Sequence, residues 1–340
     1  MAADGRVVCF GELMLRLTAL QSGMLLQERR LDCTFGGAEA NVAVSLARLG
    51  WPSAMATVLP SNPIGVAARD ELRRYGVDTD HVHLVDGRMG LYFLTPGAVL
   101  RPSEVLYDRA GSCFAEADPD LIDWETALVG AGRLHLSGVT PAIGRASAEA
   151  ALRAAHVAGR MGVALSFDGN YRGKLWALWD GDGPAILDAL FAEADVAFAD
   201  DRDMALVLRR EFQTPDVRER RRVAAQAAFD AYPKLRVITS TFREQTSADV
   251  HSLSAVMFRR DAAETLAGPL NLAGVVDRIG GGDAYAAGFL YGLHTGCDDR
   301  RTLDLALAAA AFKHSVPGDF NMATSADLDI LLSGALDVRR

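Results

Sequence analysis

Val275-Val276-Asp277-Arg278-Ile279-Gly280-Gly281-Gly282-Asp283-Ala284-Tyr285-Ala286-Ala287-Gly288-Phe289 runs from an apolar stretch through consecutive glycines to an aspartate and straight into a helical pattern. Ala284, Ala287, Phe289, Leu290 and Leu293 fall on one side of that helix, the spacing of a buried face. Glycine permits unusual dihedrals and lets a ligand come close to the backbone. The first turn of a helix offers unpaired N–H groups and a partial positive charge, so a glycine turn feeding a helix is an anion site. Asp283 stands at its mouth, where a carboxylate can take the proton of an attacking hydroxyl. Alone, the motif reads equally as a glycine turn with Asp283 as helix cap, and the rest of the chain has to decide.

A second glycine turn lies near the other end of the chain. Gly36-Gly37-Ala38-Glu39-Ala40-Asn41 opens a helix that stops at Gly50, with a small-residue face at Ala40, Ala43, Val44 and Ala47. Glu39 and Asn41 occupy its first turn, either as capping groups or as contacts to a hydroxylated ligand. Between the two turns, strand and helix patterns alternate. Strands are expected at 7–10, 54–58, 134–138, 163–168, 196–199 and 236–240, with a shorter one at 251–258. Helices are expected at 65–75, 147–161, 186–194, 211–232, 285–294 and 300–315. This alternation predicts an α/β fold, a mostly parallel sheet covered by helices on both faces. Two polar-aromatic stretches, about 13–35 and 89–112, break it and suit a small separate sheet, a lid inserted into one domain spanning 1–340.

Ligands of open α/β sheets bind beyond the carboxyl ends of the strands. Asp168, Asn170 and Arg172 follow the 163–168 strand, and Asp200 and Asp203 follow the 196–199 strand. The latter pair sits near a helix start and reads as dipole compensation unless a magnesium ion is involved. Tyr92, Tyr107 and Arg109 on the amphipathic 89–112 stretch are ordinary strand residues or donors closing over a ligand. The run from Gly169 to Lys174 is not a phosphate loop, because Leu175 stands where serine or threonine is needed.

The chain has 340 residues, 50% of them hydrophobic, enough for a large core, and a net charge of −9 that argues against a nucleic-acid surface. No apolar run approaches the roughly 18 residues of a membrane span. The start carries no signal-peptide pattern, and Cys9, Cys33, Cys113 and Cys297 are widely spaced, as expected of a cytoplasmic protein with buried or incidental thiols. A dinucleotide-binding oxidoreductase is excluded, since Gly11-Glu12-Leu13 after the first strand lacks the G-x-G-x-x-G fingerprint.

Gly36-Gly37-x-x-x-Asn41 early and Asp277-x-x-Gly280-Gly281-Gly282-Asp283 late, each at a loop-to-helix junction, resemble the two signatures of the ribokinase-like (PfkB) carbohydrate kinase family. The resemblance covers nearly the whole chain. It implies a ribokinase-like fold with a β-sheet lid, and ATP and magnesium as requirements. Asp283 would be the general base, the N–H groups of Gly280, Gly281 and Gly282 the anion hole, and Asp277 a supporting residue. It also implies a homo-oligomer, a dimer or higher. Within the family the chain is most similar to the 2-keto-3-deoxygluconate kinases, through Gly90-Leu91-Tyr92, Tyr107-x-Arg109-x-Gly111-Ser112, the 135–141 stretch and Asn170-Tyr171-Arg172. That likeness implies a sugar acid as partner, contacted by Gly36, Gly37, Asn41, Tyr92, Tyr107, Arg109, Asn170, Arg172 and Asp283. Arginines and tyrosines suit its carboxylate. A neutral-sugar kinase and a non-catalytic sugar-binding relative are the alternatives. By position, Ser240, Ala311, Lys313, His314 and Asn321 fall on the nucleotide side, and Asp200 and Asp203 align with a metal motif. The chain departs from the pattern in three places: Arg278 replaces a small residue or proline, Gly281 replaces alanine, and Ser240-Thr241-Phe242-Arg243-Glu244-Gln245 stands where a glycine-rich nucleotide loop is expected.

Overall fold

Apolar runs bounded by glycines and polar turns become strands. Along the chain these are β1 (Arg6–Phe10), β2 (Met14–Ala19), β3 (Leu31–Gly36), β4 (Ser53–Pro60), β5 (Val82–Val85), β6 (Leu91–Thr95), β7 (Glu104–Asp108), β8 (Ala131–Ser137), β9 (Ala164–Asp168), β10 (Val196–Phe198), β11 (Val237–Ser247), β12 (Val250–Arg259) and β13 (Thr265–Ala273). The structure, a computed structural model, describes residues 5–335. Nine strands form one sheet in the order β13-β12-β11-β10-β9-β8-β1-β4-β5. Neighbours from β11 through to β5 are parallel, and β12 and β13 extend the sheet antiparallel.

The sheet is covered on both sides, as the alternation predicts. Val7 and Cys9 point into one core, and Val8 and Phe10 into the other, the two-residue period of a strand. One core is closed by the Ala38–Leu49, Gly281–His294 and Asp299–Lys313 helices. The other is closed by the Arg145–Met161, Gly183–Glu193 and Val217–Ala231 helices. β1 lies between β8 and β4: the chain first builds outward on one side through β4 and β5, then returns to build on the other side from β8. This is where the chain opens a crevice at the strand ends.

The two anomalous stretches supply a separate four-stranded sheet, order β3-β2-β6-β7, with β2 and β6 parallel at its centre. It stands over the crevice as the expected lid, giving the ribokinase-like architecture.

The structure departs from the sequence reading mainly beyond β10. The 236–240 strand continues to Ser247 and hairpins into β12. β13 was not foreseen, because Gly268 and Pro269 interrupt its pattern; on an edge strand a proline leaves no partner's ladder bond unmade. The 211–232 helix begins only at Val217, where the Asp216 carboxylate caps it by accepting from the Glu219 N–H at 2.7 Å. Among the described residues no helix is long and apolar enough to cross a membrane, and the four cysteines are free.

Candidate active site

The late glycine turn is built as its residues require. Gly280 has φ +81°, in the left-handed region, and a Cβ there would collide with the Asp319 carbonyl oxygen. The Gly281–His294 helix starts immediately after it, with Asp283 in its first turn. Asn41, from the first turn of the Ala38–Leu49 helix, donates its Nδ2 to Asp283 Oδ2 at 2.6 Å, across 242 residues of sequence. The Gly37 N–H donates to Asn41 Oδ1 at 3.3 Å, which orients the amide. The two signatures therefore meet in one hydrogen bond. Burial pushes the Asp283 carboxyl up to about 6, against the Asn41 hydrogen bond that lowers it. A carboxyl so poised is ionised at neutral pH yet basic enough to accept a proton.

Asp283 faces a cavity of about 320 Å³ under the lid. Its walls bring together Gly37, Asn41, Tyr92, Tyr107, Arg109, Asn170, Arg172, Gly280, Gly281 and Gly282, all singled out in the sequence. Gly36 ends β3 and packs against the Asp319 carboxylate instead. Tyr92 and Tyr107 are cross-strand partners on β6 and β7. The Tyr92 hydroxyl is committed to Asp319 at 2.6 Å, whereas Tyr107 is 49% exposed. Arg109 is not a free cation: its Nε donates to Glu12 Oε2 at 2.7 Å, and Ser112 Oγ donates to Glu12 Oε1 at 2.5 Å. Arg172 is exposed, its guanidinium bonded only to the Tyr171 carbonyl at 3.3 Å. It makes no ion pair among the described residues and stands in the field of Asp168, Asp203 and Asp283, an exposed cation open to an acidic ligand on that wall.

Four further carboxyls line this cavity: Glu12, tied to Arg109, Asp319, tied to Tyr92, and Glu39 and Asp168. Burial pushes each of the last two up to about 8, and Glu39 accepts from the Ser137 N–H at 3.1 Å and Thr140 Oγ1 at 2.6 Å. Burial thus disfavours ionisation of Glu39 and Asp168 more than that of Asp283. Glu12 and Asp319 carried no local signal in the sequence, since their roles come from distant partners.

On the far side of the glycine turn lies a second cavity of about 530 Å³, with Arg221, Thr241, Tyr285, Ala310 and His314 among its walls. Of the residues expected on the nucleotide side, His314 lines it. Ser240 Oγ accepts from Arg221 at 3.1 Å, Asn321 is buried with its Oδ1 accepting from the Ala323 N–H at 3.2 Å, and Ala311 is buried as well. Lys313 is wholly buried, its Nζ donating to the Val316 carbonyl at 3.0 Å and the Asp277 carbonyl at 3.3 Å. It props the turn from behind the wall. The expected glycine-rich loop is replaced by paired β11 backbone through Thr241, Phe242 and Arg243, and Arg221 stacks on the Phe242 ring at 3.9 Å.

Asp200 and Asp203 form a reciprocal cap of the Asp201–Val207 helix. Asp200 Oδ1 accepts from the Arg202 N–H at 2.8 Å, and Asp203 Oδ2 from the Asp200 N–H at 2.9 Å. Arg202 neutralises Asp200 at 2.6 Å. Asp203 keeps one oxygen free of any hydrogen bond and is raised to about 6 by burial and by Asp200. Among the described residues no group of three or more His, Cys, Asp or Glu forms a metal cage. Asp200 lines the second cavity and Asp203 lines neither; one unpaired carboxylate oxygen suits a magnesium ion held mainly by phosphate oxygens and water.

The chain is similar to known sugar kinases over nearly its whole length. The chain is 31% identical over 328 residues to the 2-dehydro-3-deoxygalactonokinase of Haloferax volcanii, covering 96% of each. It is 29% identical to the 2-dehydro-3-deoxygluconokinase of Thermoproteus tenax, covering 92% of this chain and 89% of that one. The crystal structure of the 2-dehydro-3-deoxygluconokinase of Thermotoga maritima superposes with a TM-score of 0.91 at 37% identity, covering 97% of this chain and 100% of that one. Residues 4–325 match the sequence pattern of the pfkB family carbohydrate kinases, and with both signatures meeting at Asp283 the chain belongs to that family.

Proposed function

We propose that this kinase transfers the γ-phosphoryl group of ATP to the terminal (6-) hydroxyl of 2-keto-3-deoxygluconate or its galactonate epimer. The observation that carries this reading is the presence, in one cavity, of Asp283 held by Asn41 and of the exposed guanidinium of Arg172. A base beside an anion-binding helix start serves any alcohol acceptor. An exposed arginine in the same cavity favours an acceptor with a carboxylate over neutral fructose or ribose. The names of the relatives point the same way.

In the proposed reaction the acceptor hydroxyl lies against Asp283, which takes its proton as the new P–O bond forms. The N–H groups of the Gly281–His294 helix start face the oxygens of the phosphoryl group. The lid excludes water, which would otherwise compete as acceptor. A magnesium ion, when bound, would neutralise phosphate charge, and Asp203 is the residue that would hold it.

The reading is tested by ADP release with magnesium-ATP across 2-keto-3-deoxygluconate, its galactonate epimer, fructose, ribose and adenosine. Selective turnover of a keto-deoxy sugar acid supports it, and preference for a neutral sugar overturns the substrate class. Arg172→Ala is expected to raise KM for the sugar acid by about 10–100-fold, the loss of one charge-assisted hydrogen bond, with kcat changed far less. An unchanged KM removes Arg172 from carboxylate recognition.

A further inference from the structure

Two guanidinium groups lie at the seam between the cavities. Arg243 on β11 and Arg278 just before Gly280 line both cavities, together with Gly281 and Gly282. The other arginines around the second cavity are committed. Arg202 pairs with Asp200 at 2.6 Å, Arg220 with Asp201 at 2.5 Å, and Arg221 bonds Ser240 while stacking on Phe242. Among the described residues, neither Arg243 nor Arg278 has a side-chain hydrogen bond or an ion pair. The Arg243 pKa is lowered by burial and by the charge of Arg278. Two like charges held close without a counterion are a standing cost, and an anion between them removes it.

We infer that Arg243 and Arg278 are catalytic residues that grip the phosphoryl group in transit between the two cavities. The inference rests on the kinase reading of Asp283 and on a nucleoside triphosphate as donor. As the acceptor oxygen bonds to the γ-phosphorus, the bond from that phosphorus to the β–γ bridging oxygen breaks. The hydroxyl proton goes to Asp283, and the electron pair leaves with the nucleoside diphosphate. Charge is spread over the three equatorial oxygens of the phosphoryl group. Guanidinium groups aimed at those oxygens stabilise the transition state more than either ground state. They do so beside the glycine N–H groups, which face the same oxygens.

The test is steady-state kinetics of Arg243→Ala and Arg278→Ala, using whichever acceptor the wild type turns over. Each is expected to lower kcat by about 10–100-fold with both KM values changed less than about threefold. Free guanidinium ion should restore part of the Arg278→Ala activity and none of the activity of an Asp283 variant. Trapping by ADP with aluminium fluoride, a mimic of the planar phosphoryl group, should weaken in both arginine variants while ADP affinity alone holds. A kcat within threefold of wild type overturns the inference. So does a raised acceptor KM at unchanged kcat, which would make these arginines ligands of the acceptor's carboxylate. Arg278→Lys guards against misfolding: with an unchanged thermal midpoint it should keep part of the rate, and rates equal to wild type in Lys and Ala alike also overturn it. Failure of the substrate reading would show in the wild type, as no turnover of the keto-deoxy acid, whereas failure here shows only in the variants.

Discussion

Asp283→Asn is expected to lower kcat by about 10²–10⁴-fold, the contribution of one positioned general base, with the fold intact. The substitution keeps the shape of the side chain and removes its ability to take a proton. Asn41 can still donate to the new amide oxygen, as it does to Asp283 Oδ2 at 2.6 Å, so the helix start is held as before and the thermal midpoint should move little. The pH profile adds a second signature. Burial raises the Asp283 carboxyl to about 6, and the base works only when ionised. Wild-type kcat/KM should therefore rise with pH up to about 6 and level off above it. In Asp283→Asn the residual rate should have lost that limb. Asp203 is also raised to about 6, so the assignment belongs to the variant and not to the wild-type curve alone. Activity within a few-fold of wild type, or an acid limb that survives the substitution, would remove Asp283 from the role of base.

The two glycine turns were legible because their chemistry is local. A glycine at φ +81° and a carboxylate in the next helical turn are both written in consecutive residues. The lid was legible by contrast, as two stretches whose alternation fits neither a buried parallel strand nor a helix. What stayed hidden is what depends on distant pairing. Arg109 reads in sequence as a free cation, and only the fold shows Glu12 bonded to it from 97 residues away. Lys313 reads as a nucleotide ligand by position, yet the Asp277 carbonyl before the glycine turn and the Val316 carbonyl just past its own helix accept from its ammonium. Arg243 was unreadable for a third reason: the missing glycine loop removes the landmark by which that side of the site is recognised, and β11 runs on as plain strand in its place. The single-domain reading of the chain likewise stays a proposal, tested by whether unfolding is one cooperative transition.

The same dependence on distant pairing makes Arg16 the residue whose loss should cost the fold most. It lies on β2 of the lid sheet, and its side chain is 3% exposed. NH2 donates to Asp277 Oδ2 at 2.5 Å and NH1 to Asp319 Oδ1 at 2.7 Å. Burial works against the charge, and Asp319 and Asp277 overcome that and push the Arg16 pKa up. The two carboxylates are needed elsewhere: Asp277 accepts from the Ile279 N–H at 2.9 Å and the Gly318 N–H at 3.1 Å, and Asp319 accepts from Tyr92. Removing the guanidinium takes away the direct ion pair of both buried carboxylates and leaves them the field of Lys313 alone. Arg16→Met, which keeps the apolar stem, is expected to destabilise the protein by roughly 3–5 kcal/mol. The measurement is the urea midpoint at unchanged slope. Arg16→Met combined with Asp319→Asn should recover part of the loss, because one of the stranded charges goes with it. If the single variant loses less than about 1 kcal/mol, the pair behaves as an exposed surface bridge. The lid would then be held to the turn by packing rather than by this buried network.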